Sequence, residues 1–189
     1  MQNEDFYIQQ VIKGDTSAFA EIVRHYKDLV FTICFRILKN AEDAEEIAQD
    51  TFLKVFKKLP TFRSEAKFST WLFRIAYNGA LSQQRKKKYD HVSTDSEFVQ
   101  EISFTDTGSG FQQIKSDQRK VFLSKAMQTL PSEEASIVQF FYYNELSIKE
   151  IASVTGMEPS NIKVKLHRAR KRLHKALQHL LKDELEEIL

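Results

Sequence analysis

The chain has 189 residues, of which 42% are hydrophobic and 29% charged, and its net charge is only +2. It contains 5 Gly and 3 Pro, so turn-forming residues are scarce and the composition predicts a mostly helical globular protein. Collagen-like and Pro/Gly-rich disordered classes are excluded. The polar N-terminus, the lack of a long apolar run and a single cysteine, Cys34, predict a cytoplasmic protein without disulfides.

The charge is distributed unevenly along the chain. Residues 71–89 carry five Lys or Arg and no acid, and residues 159–179 carry seven and no acid. Between them, residues 91–118 hold one basic residue against five acidic ones. Two basic segments separated by an acidic one indicate a polyanionic partner.

Apolar residues recur at helical spacing through the first part of the chain. They predict a helix beginning near Ala18, a second from Ala41 that ends before Pro60, and a third from Ser69 to Lys88. The second helix carries acidic residues at i, i+3 and i+7, next to an amide: Asp43, Glu46, Asp50 and Gln49. No His or Gly-rich loop accompanies these carboxylates, so we interpret them as a docking surface for a basic partner. A solvated acidic helix is the alternative.

Aromatic and basic residues alternate over residues 62–88. A polar and aromatic set shares one face of the third helix: Trp71, Arg74, Asn78 and Arg85. Aromatic rings beside cations suit single-stranded nucleic acid, because unpaired bases stack on the rings while the backbone follows the charge. The alternative is that the aromatic residues form the core, which we favour for Phe68, Leu72 and Phe73.

From residue 90 to residue 118 the helical pattern stops. This stretch is rich in Ser, Thr, Asp and Glu and contains the sequence GSG at 108–110, so we interpret it as a flexible acidic linker. The chain is therefore predicted to be all-α. Its two small helical domains would comprise residues 1–89 and residues 119–189.

The second domain contains the most informative local pattern. The sequence SIKE at 147–150 matches a capping box, Gly156 provides a tight turn, and Pro159 suits the first turn of another helix. That helix has an apolar stripe from Ile162 to Leu180, and its seven basic residues lie off the stripe. A short helix, a turn and a basic second helix are what a DNA-reading helix-turn-helix requires. The alternative is a solvated basic helix in a bundle.

Signatures of catalysis are missing from the sequence. It contains no P-loop, no GxSxG, no HExxH and no CxxC pair, and its five histidines are scattered. We therefore expect no enzymatic activity, no metal, no cofactor and no small-molecule substrate.

Four sequence blocks together resemble the extracytoplasmic-function (ECF) sigma factors, group four of the sigma-70 family. They are DAEEIAQDTF at 43–52, FSTWLFRIAYN at 68–78, LP at 130–131 followed by LSIKEIA at 146–152, and IKVKLHRAR at 162–170. The resemblance covers nearly the whole chain, and four blocks in this order are highly specific. It implies a promoter-specificity subunit that binds core RNA polymerase and directs transcription initiation.

The resemblance also implies a role for each block. The first would bind core polymerase through Asp43, Glu46, Ile47, Gln49, Asp50 and Phe52. The second, with the loop before it, would melt and read the −10 promoter element through Phe62, Arg63, Lys67, Trp71, Arg74, Asn78, Arg85 and Lys86. Asn78 would help to form a pocket for a flipped-out base. The second helix of the helix-turn-helix would read the duplex −35 element through Ser160, Asn161, Lys163, Val164, His167, Arg168 and Lys171. The acidic linker would run toward the RNA exit path.

The chain departs from the family pattern where DNA would be read. Ser160-Asn161 stands where Gly-Thr is common, and Val164 and Lys165 replace small polar residues, so the promoter sequence cannot be carried over. Gly79, in the middle of a predicted helix, is expected to cost about 0.5–1 kcal/mol relative to alanine. The family also implies an anti-sigma inhibitor, often one anchored in the membrane.

Two other functions compete with this interpretation. One is a stand-alone helix-turn-helix transcriptional regulator with an N-terminal sensing or dimerisation domain. It leaves the acidic helix and the aromatic and basic residues of 62–88 unexplained. The other is a purely protein-binding module, such as a regulator of a sigma factor, against which the two basic segments argue.

Overall fold

The computed structural model describes the backbone of residues 4–90 and 111–188, and the side chains of residues 4–88 and 120–180. Its helices are α1 (Glu4–Ile12), α2 (Ala18–Leu38), α3 (Ala41–Lys58), α4 (Phe68–Asp90), α5 (Phe111–Gln128), α6 (Ser132–Val138), α7 (Ile148–Thr155) and α8 (Pro159–Ile188). A 3-10 turn, Leu59–Thr61, follows α3, and a π-helical turn, Gln139–Tyr143, follows α6. These two ranges contain no β-strand, which confirms the all-α class.

The described residues form two compact units. Residues 4–90 group with 150–156 in one unit, and residues 111–149 group with 157–188 in the other. The domain limits 1–89, 90–118 and 119–189 stay a prediction. Residues 111–118, which we expected in the linker, are helical, because no Gly or Pro interrupts the chain between Phe111 and Gln128. The remainder of the expected linker, residues 91–110, lies outside the described residues.

In the first unit, α2, α3 and α4 pack on one another and α1 packs on α2. The predicted apolar stripe of α2 is its buried surface: Ile22, Tyr26, Val30, Ile33 and Ile37. The start of α3 is defined by Asn40, whose side-chain oxygen accepts a hydrogen bond from the Asp43 backbone N–H at 2.9 Å. Pro60 lies in the 3-10 turn directly after α3. The predicted end of α3 at Pro60 is therefore confirmed, whereas the capping of its start by Asn40 was not predicted.

Helix α4 approaches α3 closely at Gly79. A Cβ atom built on Gly79 would lie 3.3 Å from Cγ2 of Ile47 in α3, closer than an ordinary van der Waals contact. The sequence suggested only a propensity cost at this position. The structure adds a packing role, since a larger side chain would force α3 and α4 apart.

Cys34 provides a test of how tightly α2 is buried. Its side chain is fully buried, and burial raises the pKa of the thiol to about 12. Only the thiolate reacts, and at pH 8 a thiol with this raised pKa stays protonated. We expect no alkylation of the folded protein by iodoacetamide at pH 8, and complete alkylation in denaturant, both measured by intact mass spectrometry. Rapid alkylation of the folded protein would contradict this burial.

In the second unit, α5 and α6 pack against α8. The first three residues of the predicted stripe on α8 are buried: Ile162, Leu166 and Ala169. The later stripe residues, Leu173, Leu177 and Leu180, are partly exposed. The stripe was therefore placed correctly, and its burial decreases toward the C-terminal part of the helix.

The turn between α7 and α8 has the predicted form. Gly156 has a φ of +73°, a left-handed conformation that glycine adopts without a steric penalty. Its backbone N–H donates to the carbonyl of Ala152 at 2.8 Å, closing the end of α7. Pro159 is the first residue of α8, so the glycine turn and the proline start are confirmed.

Candidate nucleic-acid and protein interfaces

The outward face of α3 combines acidic, amide and apolar side chains. Glu46, Gln49 and Asp50 are exposed, as predicted. Leu53 is 58% exposed and continues the same face, three residues after Asp50 and seven after Glu46. We call these four residues the α3 docking surface. Leu53 was not among the residues predicted for this surface, although its spacing from the acidic residues could have revealed it.

Three residues predicted with this surface lie elsewhere. Ile47 and Phe52 are buried, because they belong to the inward apolar stripe of α3 and pack it onto its neighbours. Asp43 is bound by Lys87 of α4, whose Nζ donates to the two carboxylate oxygens at 2.7 and 2.5 Å. The Asp43 side chain is only 13% exposed. These three residues therefore lie apart from the exposed α3 docking surface, and their role in binding polymerase stays a prediction.

An aromatic cluster lies at the start of α4. The ring centroids of Phe62 and Trp71 are 5.1 Å apart, and Phe68 lies 5.7 Å from Phe62 and 5.8 Å from Trp71. Phe68 is buried, whereas Phe62 and Trp71 are partly exposed. The prediction that Phe68, Leu72 and Phe73 are core residues is confirmed. Phe68 thus fixes two neighbouring rings at the protein surface.

The outward face of α4 continues from this cluster toward the helix end. Trp71, Arg74, Asn78 and Arg85 follow one another at helical spacing, and Trp71 is the least exposed of the four. Arg63 and Lys67 before the helix and Lys86 near its end are exposed as well. All eight residues predicted for the −10 element are therefore at least partly accessible. We call this set, which also includes Phe62, the α4 surface.

The exposed face of α8 carries every residue predicted for duplex DNA. All seven are exposed: Ser160, Asn161, Lys163, Val164, His167, Arg168 and Lys171. Val164 is 45% exposed among polar and basic neighbours. An exposed apolar side chain on such a face suits contact with a thymine methyl group in the major groove.

The seven basic residues of α8 fall into two groups that the sequence did not distinguish. Three make contacts within the protein. Lys165 Nζ donates to Glu133 at 2.6 Å, Arg172 Nε lies 3.4 Å from Glu134, and the Arg170 guanidinium carbon lies 5.9 Å from the centroid of the Tyr142 ring. The other four make no ion pair among the described side chains: Lys163, Arg168, Lys171 and Lys175. These four are available to phosphates or base edges.

The described residues show neither a metal site nor a membrane-spanning helix. The described part of the chain contains no group of three His, Cys, Asp or Glu placed to hold a metal ion. None of the helices in the same residues combines the length and the apolar character needed to cross a membrane.

Known protein-family models match two parts of the chain in order. The Sigma-70 region 2 model matches residues 22–89, which contain the α3 docking surface and the α4 surface. The Sigma-70, region 4 model matches residues 120–173, which contain α7 and the outward basic residues Lys163 to Lys171. Regions 2 and 4 in one chain define a sigma-70-type transcription factor.

Relatives that align with nearly the full length of the chain show which kind of sigma factor it resembles. The ECF RNA polymerase sigma factor SigW of Bacillus subtilis is 35% identical over 184 residues, which cover 92% of this chain and 96% of SigW. The RNA polymerase sigma-H factor of Pseudomonas aeruginosa is 28% identical over 182 residues, covering 93% and 94%. The sigma factor RpoE of Bartonella quintana, solved with the anti-sigma factor NepR, shares the fold, with a TM-score of 0.69, 22% identity and coverage of 85% and 96%.

The chain belongs to the ECF family of RNA polymerase sigma factors. It is a promoter-specificity subunit, which binds core RNA polymerase and directs it to promoters.

Proposed function

We propose that three separate surfaces perform the steps of promoter recognition in this chain. The α3 docking surface binds core RNA polymerase, the α4 surface melts and holds the −10 element, and the outward face of α8 reads the −35 element. The main support is that all fifteen residues predicted for DNA are at least partly exposed, and that twelve of them lie on the outward faces of α4 and α8.

The α3 docking surface suits a basic helical partner with some apolar surface. Glu46 and Asp50 provide carboxylates one turn apart, and Leu53 adds an exposed apolar side chain beside them. Charge complementarity of this kind gives specificity and speeds association. The apolar contact contributes affinity that salt does not screen. The proposed partner is therefore a basic, partly apolar segment of core polymerase.

The α4 surface suits a strand that has left the duplex. The rings of Phe62 and Trp71 are held at the surface by Phe68, and stacking of a base on such a ring contributes about 1–3 kcal/mol. That contribution offsets part of the cost of unpairing bases. Asn78 adds an amide that both donates and accepts hydrogen bonds, as recognition of a base edge requires.

The outward face of α8 suits a major groove. Ser160 and Asn161 lie in the first turn of the helix, where polar side chains and the helix N-terminus favour contact with DNA. Arg168, one or two turns further along, can donate two hydrogen bonds to a guanine. Lys163 and Lys171 suit the flanking phosphates, which contribute most of the salt-dependent affinity.

The proposal extends to the location of the chain in the cell and to a partner that inhibits it. We propose that the chain acts without catalytic chemistry of its own, in the cytoplasm where its polymerase works, and that an anti-sigma factor restrains it. The structure of the Bartonella quintana sigma factor RpoE with the anti-sigma factor NepR supports the last point by analogy.

Gel filtration of the purified chain with bacterial core RNA polymerase tests this function. A 1:1 complex is expected, and it should direct transcription from a promoter library that core polymerase alone leaves silent. If the chain fails to join core polymerase yet binds duplex DNA tightly by itself, the stand-alone helix-turn-helix regulator replaces this proposal.

Replacing Asn78 with alanine is expected to impair promoter opening and to leave assembly with core polymerase unchanged. The lost base contact should reduce opening roughly tenfold, since good base contacts are worth about 1–3 kcal/mol. Permanganate reactivity of unpaired thymines measures opening. Gln9→Ala is the matched control, because Gln9 is an exposed amide on α1, outside the α4 surface. Equal opening by the Asn78→Ala protein and the wild type would remove Asn78 from the proposed site.

A further inference from the structure

Two polar contacts hold the C-terminal end of α4 against the neighbouring helices. Gln84 Nε2 donates to the backbone carbonyl of Ile37 in α2 at 2.7 Å. One turn later, Lys87 Nζ donates to both carboxylate oxygens of Asp43 in α3, at 2.7 and 2.5 Å. Gln84 and Lys87 are three residues apart, so they share a face of α4, and this face continues the buried stripe through Ala80. Polar contacts thus replace apolar packing at this end of the helix.

The pair between Asp43 and Lys87 lies in a favourable electrostatic setting. Asp43 is in the first turn of α3, and Lys87 is in the last turn of α4. The partial positive charge at a helix N-terminus favours a carboxylate, and the partial negative charge at a C-terminus favours a cation. The Asp43 side chain is 13% exposed and that of Lys87 is 41% exposed, so salt screens this pair less than a pair in which both side chains are exposed. By comparison, Lys54 and Asp50 are 3.9 Å apart with both side chains about half exposed.

This pair divides the basic run at residues 85–88 into two kinds of residue. Lys87 is bound inward by Asp43. Arg85, Lys86 and Lys88 are exposed, and within the described side chains none of the three makes an ion pair. The run therefore presents three cations to solvent, whereas the fourth is bound within the protein.

We infer that Asp43 and Lys87 are positioning residues for the DNA-binding end of α4. Their ion pair holds the helix end so that Arg85 and Lys86 face the separated strand, and neither Asp43 nor Lys87 contacts DNA or polymerase. This inference rests on the proposed function of the α4 surface. It removes Asp43 from the set of polymerase contacts and gives its carboxylate a role within the protein.

The substitution Asp43→Asn tests the inference, because simple removal of a charge and loss of a positioning contact predict opposite changes in DNA affinity. Removal of an acidic residue near a DNA surface would, from charge alone, strengthen binding to DNA. Loss of a positioning contact would weaken it. We expect Asp43→Asn and Lys87→Gln to weaken binding by similar factors, roughly three- to tenfold, which is the size of effect expected for one typical hydrogen bond. The double variant should be no weaker than either single variant, because both remove the same contact.

The measurement uses holoenzyme assembled from the full chain and core polymerase. Its probe is a fluorescent oligothymidylate of about twelve nucleotides, since stacking and backbone contacts tolerate any base.

Lys87→Arg, which keeps the pair, should restore wild-type affinity. Asp28→Asn removes an exposed acid on α2 as a matched control, and Lys86→Gln reports a direct strand contact. Core polymerase affinity should stay within about twofold of wild type for Asp43→Asn, and urea unfolding verifies that each variant is folded.

The outcomes separate the inference from the proposed function. If Asp43→Asn leaves strand binding unchanged or strengthens it, or if the double variant shows the product of both losses, Asp43 and Lys87 do not act as a positioning pair. If Asp43→Asn loses core polymerase instead, Asp43 is a docking residue and the inference is wrong. If wild-type holoenzyme binds the strand no better than core polymerase, or Lys86→Gln has no effect, the proposed function of α4 fails and the inference fails with it.

Discussion

Replacing Asp50 with lysine is expected to prevent the chain from assembling with core RNA polymerase. Asp50 lies exposed in the α3 docking surface, one turn from Glu46 and beside Leu53. The substitution removes an attractive charge and places a cation against a basic partner. Such a like-charge contact costs several kcal/mol, which corresponds to a loss of affinity of more than about 100-fold. Folding should change little, because the Asp50 pair with Lys54 is exposed and long at 3.9 Å.

Gel filtration and competition against a labelled sigma factor measure this loss. Asp28→Lys is the matched control, because Asp28 is an exposed acid on α2 and its replacement changes the net charge by the same amount. The control protein should assemble normally and unfold at a similar urea concentration. Normal assembly of the Asp50→Lys protein would show that the α3 docking surface has been placed wrongly.

Replacing Arg168 with glutamine is expected to weaken recognition of the −35 element without destabilising the fold. Arg168 is exposed on α8 and makes no ion pair among the described side chains. Loss of a base-reading arginine costs about 1–3 kcal/mol, or roughly 5- to 150-fold in affinity. If Arg168 contacts a phosphate instead, the loss should be similar for all sequences, with a salt slope smaller by about 0.9. Lys163→Gln is expected to weaken binding in the same direction.

Arg172 offers a close internal comparison for Arg168. It lies four residues further along α8, and its Nε is 3.4 Å from a carboxylate oxygen of Glu134, whose side chain is buried. Arg172→Gln leaves that carboxylate without its cation, which should cost about 1–3 kcal/mol of unfolding free energy. Promoter preference should stay as it is. Anisotropy with labelled duplexes and urea unfolding together measure both effects, and equal losses of DNA affinity for the two variants would contradict this division.

Helical periodicity was sufficient to predict most of the fold. The spacing of apolar residues located α2, α3 and α8, while Pro60 marked the end of α3 and Gly156 marked the turn before α8. Helix α1 and the π-helical turn were not predicted, because each is short and has little periodic pattern. Exposure along α8 was predictable for the same reason as its core, since a regular helix with a known buried stripe has a known outer face.

Contacts between residues that are far apart in the chain could not be predicted from the sequence. The spacing of Asp43, Glu46 and Asp50 places them along one side of α3, but it does not reveal that Lys87, 44 residues away, binds the first of them. The same limit applies to α8, where Glu133 and Glu134 of α6 engage two of seven similar cations. The spacing of apolar residues identifies the buried face of a single helix, not the residues of other helices that contact it. Which of its charges are already neutralised depends on the tertiary packing.

The close approach at Gly79 links the two activities proposed for the first unit. Since only 3.3 Å separates the site of a Cβ atom on Gly79 from the Ile47 side chain, any larger residue at position 79 would have to displace that side chain. Glycine therefore permits the close approach of α3, which carries the proposed polymerase contacts, to α4, which carries the proposed strand contacts. In the proposed function, the spacing between enzyme and melted DNA depends in part on the absence of a side chain at this position.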